Sequence, residues 1–386
     1  MADQQLLIVG GGHAQLSLLR RWRREAPRGW RATLVSPHPR QIYSGMLPGW
    51  VAGRHALDDC AVALSGLCAR AGIAFVESAL IGLDLAQTAA LCADGQHRRF
   101  DLLSIDTGPE PALSELPGAA EFAQPVRPIE GFIAAWPALL ERWKARGEPF
   151  EVVVVGSGAA AIELAFAISF RAELEGVRGA RVSLVGRDAV PLAGMASGVS
   201  RRVMQLLRQR GISWLGDHKA VQVLPGRVRF ERGAELPFDA CLVATGAAAP
   251  RWPGAAGLST DEAGFIRVDR TLRSLSHPRV FAAGDVAAHA DARPKSGVFA
   301  VRAGAALAGN ILATCHGAAP KEWRPQRRAL YLVSTADGQA LACWGAWSAY
   351  GHWVWAWKDG IDRRFGGGAL PGLSAGRPGL QAGVNC

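Results

Sequence analysis

Lysine is scarce in this chain: five of its 43 basic residues (144, 219, 295, 321 and 358) are lysine and the rest are arginine. The formal net charge is +10, but the arginines form no dense run and no nucleic-acid motif accompanies them, so nucleic acid is not an expected partner. A basic surface of this kind suits anionic headgroups or an acidic cofactor instead. Cysteine pairs are missing as well. The seven cysteines, at 60, 68, 92, 241, 315, 343 and 386, form no CxxC pair and no Cys/His spacing typical of zinc. Reduced, mostly buried thiols and no metal site are the expectation. No apolar run approaches the roughly 18 to 20 residues of a membrane span. The chain enters an apolar strand at Leu6 to Val9 without a basic n-region or a cleavage site, so a cytoplasmic protein is expected rather than an exported one. The 46 glycines and 22 prolines follow no triplet period, which excludes a fibre. With 49% hydrophobic and 20% charged residues among 386, the balance is globular, enough for two or three domains of roughly 150 residues.

What is present is an internal echo. LLIVGGGHAQLSLL (6–19) is matched by VVVVGSGAAAIELA (152–165), each a β-branched run, a glycine turn and a helix-forming stretch. About 20 residues after each turn comes a second apolar run, ATLVSP (32–37) and VSLVGR (182–187), and each half later reaches a strand ending in Thr-Gly, LLSIDTG (102–108) and CLVATG (241–246). Two βαβ units of this kind predict an α/β protein with two parallel sheets, each built to hold a dinucleotide. Glycine lets the turn be tight and the backbone approach a phosphate, while the next helix offers free N–H groups to it. Gly10 and Gly12 meet the first two positions of GxGxxG, with Gln15 at the third; Gly156, Gly158 and Ala161 fit GxGxxA.

The acidic residue that usually ends the second strand and binds the ribose hydroxyls is missing from both halves. The first half has Ser36, which can still bond a hydroxyl. The second has Gly186 followed by Arg187, a pattern that favours a 2′-phosphate and hence NADP over NAD. Pro/Gly linkers fall at LPGA (116–119) and PVRPIEG (125–131). Residues 277–304 read as a buried strand ending at Gly284-Asp285, a loop and a helix, and the alternation after about residue 321 reads as a hairpin turning at Asp337-Gly338. Trp353, Trp355 and Trp357 alternate, so a strand would put them on one face. That pattern is read as core packed on the first domain, in preference to a membrane-interface foothold aided by Arg363 and Arg364.

GGGHAQ, IDTG (105–108), GSGAAAIELA and AAGDVA (282–287), in this order, resemble the pyridine nucleotide–disulfide oxidoreductase superfamily, which includes the type II NADH dehydrogenases and the sulfide:quinone oxidoreductases. SPHPRQIYSGMLPGWVAG (36–53), PKSGVFAVRAG (294–304) and WKDGIDRRF (357–365) look most like the NADH dehydrogenase-like flavoproteins that also occur fused to selenophosphate synthetase, a half this chain does not contain. The resemblance implies two Rossmann-like domains and a small C-terminal α+β region. An FAD-binding domain spans 1–118 and 250–320 and an NAD(P)H-binding domain 119–249. The C-terminal region is 321–365, and 366–386 form a flexible tail.

It further implies FAD as cofactor, with its pyrophosphate at Gly10 and Gly12 and Ser36 near the adenosine ribose. Thr107 and Gly108 would abut the cofactor, and Gly284-Asp285 would bond the ribityl chain. Residues 43–49, with Tyr43, would lie along the isoalloxazine, and the N–H groups of Gly297 and Val298 would approach its pyrimidine end. Glu163 would be the catalytic carboxyl facing the flavin-side cavity. NAD(P)H would dock on the second domain, at Gly156, Gly158 and Arg187, as hydride donor to a small electron acceptor. That acceptor could be a quinone, and the chain could form a homodimer and make peripheral contact with the inner face of a membrane.

Three departures narrow this. Residues 44–49 read SGMLPG where disulfide reductases carry CxxxxC, so a dithiol relay is excluded. Cys241, Cys315 and Cys343 match no sulfide-oxidation motif. Residues 297–302 read GVFAVR where the type II dehydrogenases carry AQxxxQ, which leaves the quinone open. A sulfide or selenium-compound oxidoreductase and a flavin-binding interaction protein without turnover remain as alternatives.

Overall fold

A computed structural model describes residues 3–146, 149–177 and 179–366. The expected tail, apart from its first residue, lies outside them. The first sheet is built around β1 (Gln4–Val9), whose Leu6 to Val9 are buried as the centre of a parallel sheet requires. A glycine turn leads into α1 (Gln15–Glu25), which lays Leu16, Leu18, Leu19 and Trp22 on the sheet. β2 (Trp30–Ser36) pairs with β1 on one side and with β3 (Ala74–Glu77) beyond it, and β4 (Leu102–Ile105) pairs with β1 on the other side. The fifth strand of this sheet, Val280–Ala282, comes from far downstream and pairs with β4. All five strands are parallel. Strand order therefore reverses at the carboxyl end of β1, between β2 and β4, the place where open α/β sheets bind ligands.

The second unit repeats the plan. β5 (Phe150–Val155) is a run of four valines after Phe-Glu, and a turn leads into α2 (Ala159–Leu174), an alanine-rich helix with most of its surface buried. β6 (Ala180–Val185), β7 (Ser213–Leu215) and β8 (Ala240–Val243) complete a parallel sheet with a short outer strand at Gln124–Pro125. In each unit a three-stranded antiparallel meander precedes the last strand before the Thr-Gly: Leu80–Asp84, Ala89–Cys92 and His97–Arg99 in the first, Ala220–Leu224, Arg227–Phe230 and Glu235–Pro237 in the second.

After β9 (Val280–Ala282), the chain forms α3 (Gly297–Cys315). This helix corrects the reading that no segment is long and apolar enough to cross a membrane, for it passes by length and composition, interrupted only by Arg302. It is nevertheless a core helix. Ala303, Leu307, Ala308, Ile311 and Leu312 belong to the first core, and Gly304 lies so close to α1 that a Cβ would sit 2.7 Å from the Ala14 carbonyl oxygen.

The C-terminal region is an antiparallel sheet, β10 (Tyr331–Ser334), β11 (Ala340–Trp344) and β12 (Trp347–Gly351), followed by α4 (His352–Gly366). The hairpin at Asp337-Gly338 is present. The strand expected at Trp353, Trp355 and Trp357 is not: the three lie on α4. Trp355 packs into a small cluster with Ala340, Ala342 and Val354, whereas Trp353 and Trp357, one turn apart, stack at 6.4 Å in the open. Alternation fails here because residues two apart diverge by about 200° around a helix, and the pairs that share a face are three or four apart.

Candidate functional site

The first glycine turn sits at the switch point, and its fourth-strand neighbour is a carboxylate. Asp106, buried at the end of β4, accepts the N–H groups of Ala14 at 2.8 Å and Gln15 at 3.3 Å. Gly10, at φ +84°, leaves room for the Asp106 carbonyl, and a Cβ on Gly12 or Gly284 would overlap the Asp106 carboxylate. Burial, opposed by those two N–H groups and reinforced by Asp285, pushes the carboxyl up to about 7. Gln15, the departure from GxGxxG, is fully buried and trades hydrogen bonds with the Ser104 hydroxyl on β4. A side-chain pair thus replaces the close helix–strand contact that a third glycine provides.

The residues expected to hold FAD lie around this turn. Thr107 and Gly108 follow Asp106, with Gly108 at φ +75°. Ser36 is buried at the end of β2 and donates its hydroxyl to the His38 carbonyl at 3.1 Å. Asp285, just beyond β9, meets Arg127 of the linker at 3.3 Å. A cleft of about 660 Å³ opens beside it, lined by Gly284, Asp285, Lys295, Phe299 and Ala300 among others. Gly297 begins α3, and a Cβ there would lie 3.8 Å from the Ser44 hydroxyl and 3.9 Å from the His13 ring. These positions fit a dinucleotide. Among the described residues the Gly11 and His13 amides have no acceptor, and the buried His13 Nε2 and Ser296 Oγ are without partners. Burial, with Arg127 adding to it, lowers His13 to about 4, so the ring is neutral.

A second cluster adjoins the first. Tyr43 stands 5.4 Å from His13 and 4.3 Å from Phe365, which in turn stacks on His13 at 5.2 Å. Glu163 on α2 is not the surface carboxylate its position in a helix allows; it is buried and accepts the Ser334 N–H at 2.7 Å. Lys358, one turn before Asp362 on α4, donates to the Asp362 carboxylate and to the Gly45 carbonyl, both at 2.7 Å, and its ammonium is 3.9 Å from Glu163. Burial pushes Glu163 up to about 7 against the pull of Lys358. Lys358 itself is raised: burial opposes its charge, but Glu163 and Asp362 more than offset that. Burial, and then the Asp362 carboxylate, raise the Tyr43 phenol.

Lys358, Asp362, Phe365, His13, Arg127 and Asp106 were not singled out from sequence, although WKDGIDRRF and IDTG contain four of them. The 358/362 spacing of four is the helical signal that the tryptophan alternation obscured.

The second glycine turn has open space at Gly158, and Gly156 leaves room for the Ala244 carbonyl. Arg187 is exposed. An acid does stand at this turn, two positions beyond the expected place: Asp188 accepts the Ser157 hydroxyl at 2.7 Å. The six described cysteines are all free and scattered over the fold.

Comparison with known proteins agrees with this plan. The chain is 29% identical over 238 residues to a NADH dehydrogenase-like protein of Mycobacterium tuberculosis, covering 60% of each. It is 27% identical over 302 residues to the alternative NAD(P)H-ubiquinone oxidoreductase C1 of Arabidopsis thaliana, covering 69% of this chain and 57% of that protein. It therefore spans less than two thirds of the length of these relatives. The sulfide:quinone oxidoreductase of Aquifex aeolicus shares the fold with a TM-score of 0.79 at 18% identity, covering 94% of this chain and 90% of that one. NDH2 of Plasmodium falciparum does so with 0.80 at 12% identity, covering 94% and 97%. With both glycine-turn units and the strand that closes the first sheet inside a match over residues 4–304, the chain belongs to the pyridine nucleotide-disulphide oxidoreductase family.

Proposed function

We propose that the protein is an FAD-dependent oxidoreductase that takes reducing equivalents from NAD(P)H and delivers them, with protons, to a small acceptor of the quinone class. One observation carries this reading: the Glu163–Lys358–Asp362 cluster meets residues 43–45 beside the first glycine turn, so a proton-holding group borders the cofactor bed. Bound FAD supplies the chemistry of accepting two electrons from a reduced nicotinamide and handing them on.

The chain's own residues do the rest. The free amides of Gly11 and His13 would hold the diphosphate, Asp285 a ribityl hydroxyl, and the first amides of α3, at Gly297 and Val298, the electron-rich end of the ring. His13, Tyr43 and Phe365 form an aromatic wall that keeps water from this bed. Glu163, poised near neutrality, holds a proton at its carboxyl and releases it where a reduced acceptor needs one. Lys358 stays charged and fixes Glu163 against α4. Gly156, Gly158 and Arg187 would take the nicotinamide nucleotide.

A quinone is the favoured acceptor class because α4 also carries Trp353, Trp357 and Ile361 exposed at intervals of four, with Arg363 and Arg364 following. An apolar helix face beside cationic side chains suits the surface of an anionic bilayer, where a lipid-borne acceptor resides. The reading is tested by anaerobic titration of the purified protein with NADH and with NADPH, followed by a panel of acceptors. A yellow protein bleached by one nicotinamide and restored by a short-chain quinone is the expected result. A protein that binds no flavin, or whose flavin neither nucleotide reduces, overturns it.

A further inference from the structure

The first glycine turn closes on a side chain that its own repeat does without. Aligned on the Thr-Gly that follows β4 and β8, Asp106 corresponds to Ala244 (IDTG against VATG). In the second unit backbone alone makes the closure: a Cβ on Gly156 would lie 2.6 Å from the Ala244 carbonyl oxygen, and nothing crowds Gly158. An alanine therefore suffices for the fold, and the carboxyl is an addition. It is also an expensive one, enclosed by Gly10, Gly12 and Gly284. It takes up the Ala14 and Gln15 amides, which lie at the amino end of α1 where a dinucleotide diphosphate is normally received.

We propose that Asp106 positions the flavin loop as a proton-carrying residue: with the carboxyl neutral the loop holds FAD tightly, and ionisation loosens it. This rests on the FAD reading above. A diphosphate brings negative charge to a turn whose far side is this carboxyl, with Gly12 between them, and like charges in a buried site favour the state in which one is protonated. The charged and titratable groups around Asp106 do not relieve the conflict. Asp285, beyond β9, is a like charge. Arg127, from the linker, is engaged with Asp285 at 3.3 Å. Lys295, before α3, donates to the Ala287 carbonyl and lies 3.9 Å from the Phe265 ring centre. His13, on the turn, is neutral. Among the described residues Asp106 has no ion-pair partner of its own. Its carboxyl is already raised to about 7 by burial, so bound diphosphate would shift its titration further into the working range.

The test measures flavin retention by the holoenzyme. FAD release on dilution, followed by flavin fluorescence, is recorded from about pH 6 to pH 9 for the parent, Asp106→Asn and Asp106→Ala. The parent should show a dissociation constant rising towards tenfold per pH unit above about pH 7, the slope of one proton. Both Asp106 variants should retain FAD with little dependence on pH. Release from the parent should also liberate close to one proton, read with an indicator dye in weak buffer, and this measurement decides the matter alone if the variants do not fold. An unchanged slope in Asp106→Asn, or release from the parent without a proton, overturns the proposal. A parent that carries no flavin at any pH instead overturns the FAD reading on which it rests.

Discussion

Replacing Lys358 by methionine probes the proton-holding cluster most directly. The substitution keeps most of the side-chain volume and removes an ammonium 3.9 Å from Glu163 and 2.7 Å from Asp362. At an effective dielectric of about 20, unit charges separated by 3.9 Å interact by roughly 4 kcal/mol, or about three pKa units. Glu163, already pushed up to about 7 by burial, should then keep its proton to a pH about three units higher. The assay is the pH profile of acceptor reduction with NAD(P)H and FAD both held saturating, so that loss of flavin at high pH does not shape the limb. In the parent, turnover should fall as pH rises through about 7, where Glu163 loses its proton; in Lys358→Met that limb should move far to the alkaline side. Breaking a buried pair also costs roughly 3 to 5 kcal/mol of stability, so melting is measured alongside and the profile is taken well below the melting point. A profile with its alkaline limb unmoved, in a folded variant that binds flavin, refutes the role given to this cluster.

Glu163→Gln should gain stability relative to the parent as pH rises from about 5 to 8. The carboxyl is raised from its ordinary 4.5 to about 7, so its contribution is complete below about 4.5 and lost as pH rises through about 7. Two and a half units set a ceiling of about 3 kcal/mol, readable from melting temperatures at the two pH values. Gly12→Ala should give protein purified without flavin colour, because the new methyl group would overlap Asp106 and displace the turn. Normal FAD content would count against the assigned pyrophosphate site. Arg187→Ala should lower kcat/KM for NADPH by roughly ten- to a hundredfold and leave NADH little changed, the loss of one charge-assisted bond to a 2′-phosphate. Equal loss for both nucleotides would point instead to Asp188. Replacing Trp353 and Trp357 together by serine should abolish co-sedimentation with anionic lipid vesicles while turnover with a water-soluble quinone persists; co-sedimentation unchanged would remove α4 from the membrane contact.

Much of the scaffold could be read from local patterns. An apolar run, a glycine turn and a helix-forming stretch state a buried parallel strand and its crossover within 25 residues, and they do so twice. The glycines of the first turn and its neighbours were legible because backbone geometry demands them: Gly10, Gly12, Gly108 and Gly284 are where close approach or positive φ is needed. Side-chain partnerships were harder. Glu163 and Lys358 are separated by just over half the chain, and nothing near either announces the other. Asp106 was visible as an acid in place of its repeat's alanine, yet only the fold shows that its carboxyl points back under the turn rather than out to solvent. Asp188 was overlooked because it falls two positions after the usual place, and its hold on Ser157 depends on how the loop folds back. The tryptophans misled for a simpler reason. Residues 353, 355 and 357 satisfy a period of two, and the competing period of four became evident only with Ile361 and the Lys358–Asp362 pair.

The strand Val280–Ala282 joins a sheet whose other members were all made before residue 106. During synthesis the chain must therefore emit the whole second sheet before the first can be completed, and the Asp285 side of the bed arrives with that final piece. The strands of the later-encoded sheet can therefore pair while the earlier one still waits for its last member, although the core beneath them is closed only when Val333, Leu341 and Cys343 follow.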